Sequence, residues 1–222
     1  KASVREPTAS QEYAALAANL YKGCEHGCLY CYAPKATFTN PEVFHANPTP
    51  RKNVLTMLEA DAKKIGKGSV LFSFTTDPYQ PCEIEHKLTR EGIKILHKHG
   101  LSVEILTKGG SRSIRDFDLL TSVDKFATTL TFLNKEDSLK WEPKAALPKD
   151  RIDTIRCAKQ RGLTTWVSLE PVIDPEQSLE LIRITLDTVD FYKVGKLNHH
   201  PLANQIDWRT FGQKAIEILE KA

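Results

Sequence analysis

Ser69–Thr75 reads Ser-Val-Leu-Phe-Ser-Phe-Thr and Leu101–Thr107 reads Leu-Ser-Val-Glu-Ile-Leu-Thr; between them Leu88, Ile95 and Leu96 mark a helix that Gly100 closes. Aliphatic, β-branched and aromatic residues dominate both runs, as buried parallel strands require. Strand, helix and strand in that order make a βαβ unit, which closes parallel and right-handed. The same alternation extends in both directions. Upstream, the apolar run Ala17–Tyr21 precedes a helix read from Leu55, Leu58, Ala62 and Ile65, with Gly66 as its stop. Downstream, Lys125–Phe132, Leu163–Leu169 and Val189–Val194 repeat the strand signal. Their helices are Ser111–Leu120, with Ser111 or Ser113 as N-cap, then Ile152, Ile155 and Ala158 up to Gly162, then Leu179, Ile182 and Leu186, and finally Phe211, Ala215, Ile218 and Ala222. Six βα units in series predict an α/β fold with a parallel sheet. A partial (βα)6 TIM-type barrel is the expected architecture, with a flat doubly wound sheet as the alternative. Residues 1–15 are polar and small and read as an N-terminal arm, leaving 16–222 as one core domain.

The chain has 222 residues, with 31 Lys+Arg against 28 Asp+Glu and a net charge of +3. That balance permits a phosphate-bearing partner without arguing for one. No apolar run approaches the ~18 residues of a membrane helix. Lys1 stands where an initiator Met would, so further residues are expected to precede it. The five cysteines are Cys24, Cys28, Cys31, Cys82 and Cys157. An odd count, three of them packed together, is a poor disulfide framework and fits thiols kept reduced as metal ligands, hence a cytoplasmic setting.

In a parallel α/β sheet, chemistry gathers at the carboxyl ends of the strands. The candidate segments are therefore Cys24–Cys31, Thr75–Cys82, Thr107–Gly110, Thr131–Asn134, Ser168–Pro171 and Gly195–His199. The first carries the strongest signal: Gly23-Cys24-Glu25-His26-Gly27-Cys28-Leu29-Tyr30-Cys31-Tyr32. Three thiolates on one loop can hold three irons of a [4Fe–4S] cluster, leaving the fourth iron open to chelate a reactant. Two other readings stand beside it. Zinc could take the three cysteines and His26, and an electron-transfer cluster could recruit Cys82 or Cys157 as its fourth ligand.

C-x3-C-x-aromatic-C after the first strand of a six-unit βα series resembles the radical S-adenosylmethionine (SAM) superfamily. Within it, Thr75-Thr76-Asp77, Thr107-Lys108, Leu133-Asn134 and Trp141-Glu142-Pro143 with Arg151 resemble the spore photoproduct lyase branch, as does Asn19-Leu20-Tyr21-Lys22-Gly23-Cys24. The resemblance spans about Asn19 to Lys196. It implies a [4Fe–4S] cluster on Cys24, Cys28 and Cys31, with SAM on the open iron. Reductive cleavage would give a 5′-deoxyadenosyl radical that abstracts hydrogen from substrate. It further implies Tyr30 against the adenine or the cluster edge, Thr75 and Thr76 near the SAM carboxylate, Lys108 paired with that carboxylate, and Asn134 near the ribose or methionine. Ser168 and Glu170 would contact SAM or substrate. A reductant such as flavodoxin or ferredoxin would be a partner, and a nucleobase in DNA or RNA the substrate. A peptide, a small molecule or a purely electron-carrying role are the alternatives.

Each of these residues also has a plainer reading. Tyr30 could be a core aromatic, Thr76 and Asn134 could build turns, and Glu170 could pair with Lys193. The lyase family uses a Cys just ahead of its Thr-Ser-Asp, with a Tyr as relay. Here that Cys position is Phe74, which departs from the family; Tyr32 matches the relay, and Cys82 on the same loop is the candidate hydrogen donor. Cys82 as a small buried hydrophobe is the competing reading. Cys157 reads as core, His199-His200 as a surface pair, and Arg112 and Arg115 as either an exposed face or a basic rim for a phosphate backbone.

Overall fold

The computed structural model describes residues 3–6, 13–197 and 201–221. His199 and His200, and Ala222 of the last helical stripe, lie outside the described residues. Nine strands are assigned among them: β1 Val4–Arg5, β2 Leu16–Ala18, β3 Tyr21–Lys22, β4 Thr49–Pro50, β5 Gly68–Phe72, β6 Leu101–Thr107, β7 Lys125–Thr129, β8 Thr164–Val172 and β9 Phe191–Lys196. The helices are α1 Ala33–Ala36, α2 Pro41–Ala46, α3 Val54–Ile65, α4 Glu83–His86, α5 Leu88–Lys98, α6 Lys135–Trp141, α7 Pro148–Gln160, α8 Pro175–Thr185 and α9 Trp208–Leu219.

The main sheet runs β1-β2-β5-β6-β7-β8-β9, parallel throughout except for the antiparallel β1–β2 pair. All six expected parallel strands are therefore present. Their consecutive order decides between the two architectures. A doubly wound sheet reverses its order at a switch point, whereas consecutive right-handed crossovers lay every helix on one face and curl the sheet as a barrel does. The sheet ends at β1 and β9, so the barrel is open.

Strand register separates the two faces. Phe72, Ile105 and Phe126 are paired across β5, β6 and β7 and belong, with Leu58, Ile93, Leu96 and Ile155 of the helices, to one buried core. The alternate residues Leu106, Ala127 and Trp166 are likewise in register and face the other way, because side chains alternate along a strand.

Three local expectations are revised. The first apolar run splits, because Asn19 leaves the sheet to accept the Thr75 N–H through Oδ1 at 2.8 Å; Tyr21–Lys22 pairs instead with Thr49–Pro50. Part of the arm is built into the sheet, with the Val4 N–H donating to Asp61 of α3 at 3.0 Å. The segment after β6 is a 3-10 helix, Gly110–Asp116, whose N-cap is Gly109, so neither serine caps it; Ser113 Oγ donates to the Gly110 carbonyl at 2.7 Å instead.

Candidate functional site

The cysteine loop is fixed from three sides. The Cys24 N–H donates to the Phe44 carbonyl of α2 at 3.1 Å, and the Leu29 N–H to the Trp141 carbonyl at 2.8 Å, while the Lys144 N–H donates to the His26 carbonyl at 3.2 Å. From the β5–α4 loop, Gln80 Oε1 accepts the Glu25 N–H at 2.9 Å and Glu25 accepts the Cys82 N–H at 2.6 Å. Gly23 has φ +81° and a β carbon there would stand 2.5 Å from the Phe44 carbonyl oxygen. Gly23→Ala is therefore expected to combine a left-handed penalty of about 1–2 kcal/mol with a collision. A lower melting temperature and poor iron uptake on reconstitution would check it; wild-type values for both would refute it.

Cys24, Cys31, Ala33 and Phe44 form a small satellite core of their own. Burial raises all three thiols: Cys24 well above the usual range, Cys28 to about 12, and Cys31 as well. Lys108 opposes that shift at Cys28 and Cys31. Free, the thiols are protonated, and a soft metal would displace their protons.

His26 is spoken for. Its Nε2 accepts from Arg112 Nη2 at 3.2 Å, which places the proton on Nδ1, 3.4 Å from Asp77 Oδ2. Burial pushes the imidazole down to about 4, so it is neutral. Among the described residues no three His, Cys, Asp or Glu side chains are grouped as donors to one ion. With Nε2 accepting from Arg112 and Nδ1 facing Asp77, His26 is a poor fourth ligand for a mononuclear zinc site. A thiol-only donor set suits sulfur-ligated iron, where each thiolate takes a separate iron and the sulfurs stand further apart.

Asp77 ties this loop to β6: it accepts from Thr107 Oγ1 at 2.6 Å, the Lys108 N–H at 2.7 Å and the Tyr79 N–H at 2.8 Å. Burial alone would raise its carboxyl, but His26 and these donors hold it below the usual range. Lys108 Nζ lies 5.5 Å from the Tyr30 ring centroid. Burial disfavours its charge most, yet Cys28, Glu142 and Asp77 outweigh that and keep it cationic. The Tyr30 hydroxyl donates to Glu142, and Glu142 accepts from Arg151 Nη2 at 2.6 Å in a buried ion pair.

These groups border a cavity of about 490 Å³. Tyr30, Cys31 and Lys108 form one end, with Leu106 and Thr129 as wall, and Ser168, Glu170, Gly195 and Lys196 the other. Tyr13, Tyr32 and Phe74 are aromatic wall residues. A β carbon at Gly195 would collide with the Glu170 carboxylate. Tyr13, from the arm, donates to Glu170 and sits 3.2 Å from Ser168 Oγ, with Lys193 Nζ 4.0 Å from its ring centroid. Tyr32 donates its hydroxyl to the Phe74 carbonyl at 2.9 Å.

Other expected site residues fall elsewhere. Thr76 shares its hydroxyl with Ser73 in a turn, at 3.2 Å, whereas Thr75 Oγ1 is buried with no hydrogen-bond partner. Asn134 is the N-cap of α6, accepting the Asp137 N–H at 3.0 Å. Cys82 is the N-cap of α4 and packs on the main core, outside the cavity wall; Cys157 packs on that core too. The arginines do not form a phosphate rim: Arg112 also donates to the Tyr79 carbonyl at 2.8 Å and Arg115 pairs with Glu83. Sequence reasoning missed Tyr13, Gln80 and the Arg112–His26 bond, which no local spacing announces. It quoted Glu142 and Arg151 without giving them a role.

A family model described as the radical SAM superfamily matches residues 18–189. An uncharacterized protein of Methanocaldococcus jannaschii is 29% identical over 184 residues, covering 81% of this chain and 69% of that protein. One of Mycobacterium tuberculosis is 28% identical over 166 residues, covering 70% and 48%. Among solved structures, a spore photoproduct lyase mutant with bound AdoMet and dinucleoside spore photoproduct is similar at TM-score 0.70 and 16% identity, covering 95% of this chain and 62% of that one. Streptococcus suis SuiB bound to S-adenosylmethionine matches at TM-score 0.65 and 15% identity, covering 91% and 47%. The chain thus spans about three fifths of the lyase and half of SuiB.

Proposed function

The chain belongs to the radical SAM superfamily and is a radical SAM enzyme; from that premise we propose that Cys24, Cys28 and Cys31 hold a [4Fe–4S] cluster at the Tyr30–Lys108 end of the cavity. The observation that carries the reading is the set of three thiols on one clamped loop, Cys24 and Cys28 buried and Cys31 half-buried in the cavity wall together with Lys108. Such a cluster, once reduced, would supply one electron for reductive cleavage of bound SAM to methionine and a 5′-deoxyadenosyl group able to take a hydrogen atom from substrate. The protein's part is to bind, orient and exclude water. Lys108 offers a cation to the SAM carboxylate. Tyr30, locked through Glu142, gives a flat wall for the adenine. Ser168 and Glu170 serve the other end, and Thr75, outside the cavity wall, is given no part in it. Thr76, Asn134 and Cys82 already have structural work and are left out of this machinery.

The substrate class we propose is a nucleobase within DNA or RNA. Supporting it are the aromatic walls Tyr13, Tyr32 and Phe74 with Lys35 and Lys196 beside them, a pairing of stacking surfaces and cations suited to bases and phosphates. Phe74, where the lyase family places a thiol, speaks against thymine-dimer repair as the specific reaction.

The test is anaerobic reconstitution with iron and sulfide, followed by SAM and dithionite. 5′-Deoxyadenosine is the expected product; one zinc per chain without sulfide, or an intact cluster without 5′-deoxyadenosine, would sink the proposal. Oligonucleotide binding should weaken steeply with salt; no binding would redirect the search to a peptide or small molecule. Lys108→Met should weaken SAM binding about 10- to 100-fold, the range of a charge-assisted bond worth about 1.5–3 kcal/mol, measured by equilibrium dialysis. Unchanged affinity would remove Lys108 from the site.

A further inference from the structure

Helices α1 and α2 pack on the cysteine loop, and two large apolar side chains stand exposed on and beside them. Ala33 and Phe44 point inward, packing with Cys24 and Cys31. Phe38, just after α1, is 98% exposed and Val43 of α2 is 61% exposed. Phe38 also has φ +53°, a conformation that a bulky residue adopts at a cost. Lys35 stands on α1, and Lys22 and Lys52 lie on and just after the paired strands β3 and β4, which meet α2 where the Cys24 N–H bonds the Phe44 carbonyl; all three are exposed, and none has an ion-pair partner among the described residues. Exposed Lys140 and Lys144 flank the same loop through the backbone bonds that join Trp141 and Lys144 to Leu29 and His26. Against these cations, residues 22–52 contain two acids, Glu25 and Glu42, and Glu25 is occupied by the Cys82 N–H.

We propose that the α1–α2 face, centred on Phe38 and Val43, is the docking surface for a small acidic electron-donor protein of the flavodoxin or ferredoxin kind. Exposed apolar residues ringed by unpaired cations fit a partner with an apolar contact point and an anionic rim. The thiols lie just beneath these helices, and a helix is about 10–12 Å across, so a donor seated there is brought close to the metal centre. One electron would pass from donor to metal centre, the donor being oxidised by one, with no proton or group transferred. A nucleic acid is the less favoured occupant of this face. Phe38 offers a single ring beside an aliphatic Val43, whereas Tyr13, Tyr32 and Phe74 together line the cavity.

This inference rests on the radical SAM reading, and its test separates the two. Reduced flavodoxin and dithionite are compared as donors for 5′-deoxyadenosine formation by wild type, by Phe38→Ser with Val43→Ser, and by Lys22→Glu with Lys52→Glu. Both variants should raise the KM for flavodoxin about tenfold or more, and dithionite-driven turnover should stay within about twofold of wild type, since exposed interface positions act on encounter and residence. Binding of oxidised flavodoxin to the metal-free protein, read by calorimetry, should weaken in parallel and more steeply with salt for the wild type than for the charge variant. An unchanged flavodoxin KM and affinity in both variants would overturn the proposal. So would variants that lose oligonucleotide binding while keeping flavodoxin binding. No 5′-deoxyadenosine from wild type with dithionite would instead defeat the proposed function itself.

Discussion

Replacing Cys24, Cys28 or Cys31 by alanine, one at a time, is expected to reduce 5′-deoxyadenosine formation in reconstituted protein to background. Iron and sulfide should fall with it, read by metal analysis and the visible charge-transfer absorption. A cluster held by three thiolates cannot spare one, because no fourth cysteine lies on the loop and Cys82 and Cys157 pack on the main core. The fold itself should survive. Cys24 and Cys31 belong to a satellite of the core, Cys28 lies in neither core cluster, and a Cys→Ala change removes one atom, at the low end of the cost of shrinking a buried side chain. The informative control is His26→Asn. Were the loop a zinc site with His26 as fourth ligand, this change would cost metal as severely as loss of a cysteine. With His26 held between Arg112 and Asp77, the variant should keep most of its iron and sulfide, and its defect should show as a less uniform cluster spectrum. Equal loss of metal in His26→Asn and the cysteine variants would return the zinc reading.

The contrast between those variants shows what a single sequence can and cannot convey. Cys24, Cys28 and Cys31 are legible because one loop carries all three, so spacing alone brings them together. The strands are legible because each buries its own apolar run, and their consecutive order follows from short right-handed crossovers. Helix stripes are legible with small errors: on α5 Leu96 is fully buried as its spacing predicts, but its partner in the core is Ile93, while Ile95 and Leu88 are only partly buried. Contacts set by tertiary closure left no such trace. Tyr13 reaches Glu170 across 157 positions and Arg112 reaches His26 across 86; neither has a periodicity. Capping pulled the other way. Asn134 and Cys82 lie on segments that look catalytic by position, yet the Asn134 side chain caps α6, a use that Asn commonly finds at a helix start, and Cys82, at the start of α4 with no capping bond of its own side chain, packs on the main core.

The second large effect is expected at Glu142, where Glu142→Ala should lower the melting temperature by roughly 6–20 °C. That figure takes about 3–5 kcal/mol for stranding one member of a buried ion pair at about 2–4 °C per kcal/mol for a chain of this size. Arg151 is 1% exposed. Its Nε and Nη1 donate to the Ala146 and Thr129 carbonyls at 2.6 and 3.0 Å, leaving Nη2 for Glu142 at 2.6 Å. Without the carboxylate the guanidinium stays buried beside a second cation, Lys108, with the Tyr30 hydroxyl also stripped of its acceptor. Burial works to raise the Glu142 carboxyl, but Arg151 and Lys108 hold it below the usual range. Its folded value is thus depressed, so its stabilisation is present above the ordinary carboxylate range and is lost as pH falls through the folded value. The wild type should therefore lose stability on acidification more steeply than Glu142→Ala. Glu142→Leu with Arg151→Met separates stability from function. Replacing both charges by apolar groups should recover most of the melting temperature, while SAM binding stays weak because Tyr30 and Lys108 have lost the carboxylate that orders them. A single variant melting within about 2 °C of wild type, below the shift expected for even 1 kcal/mol, would show that the pair is dispensable. A double variant that also restored SAM affinity would show that Glu142 holds the fold and not the cavity wall.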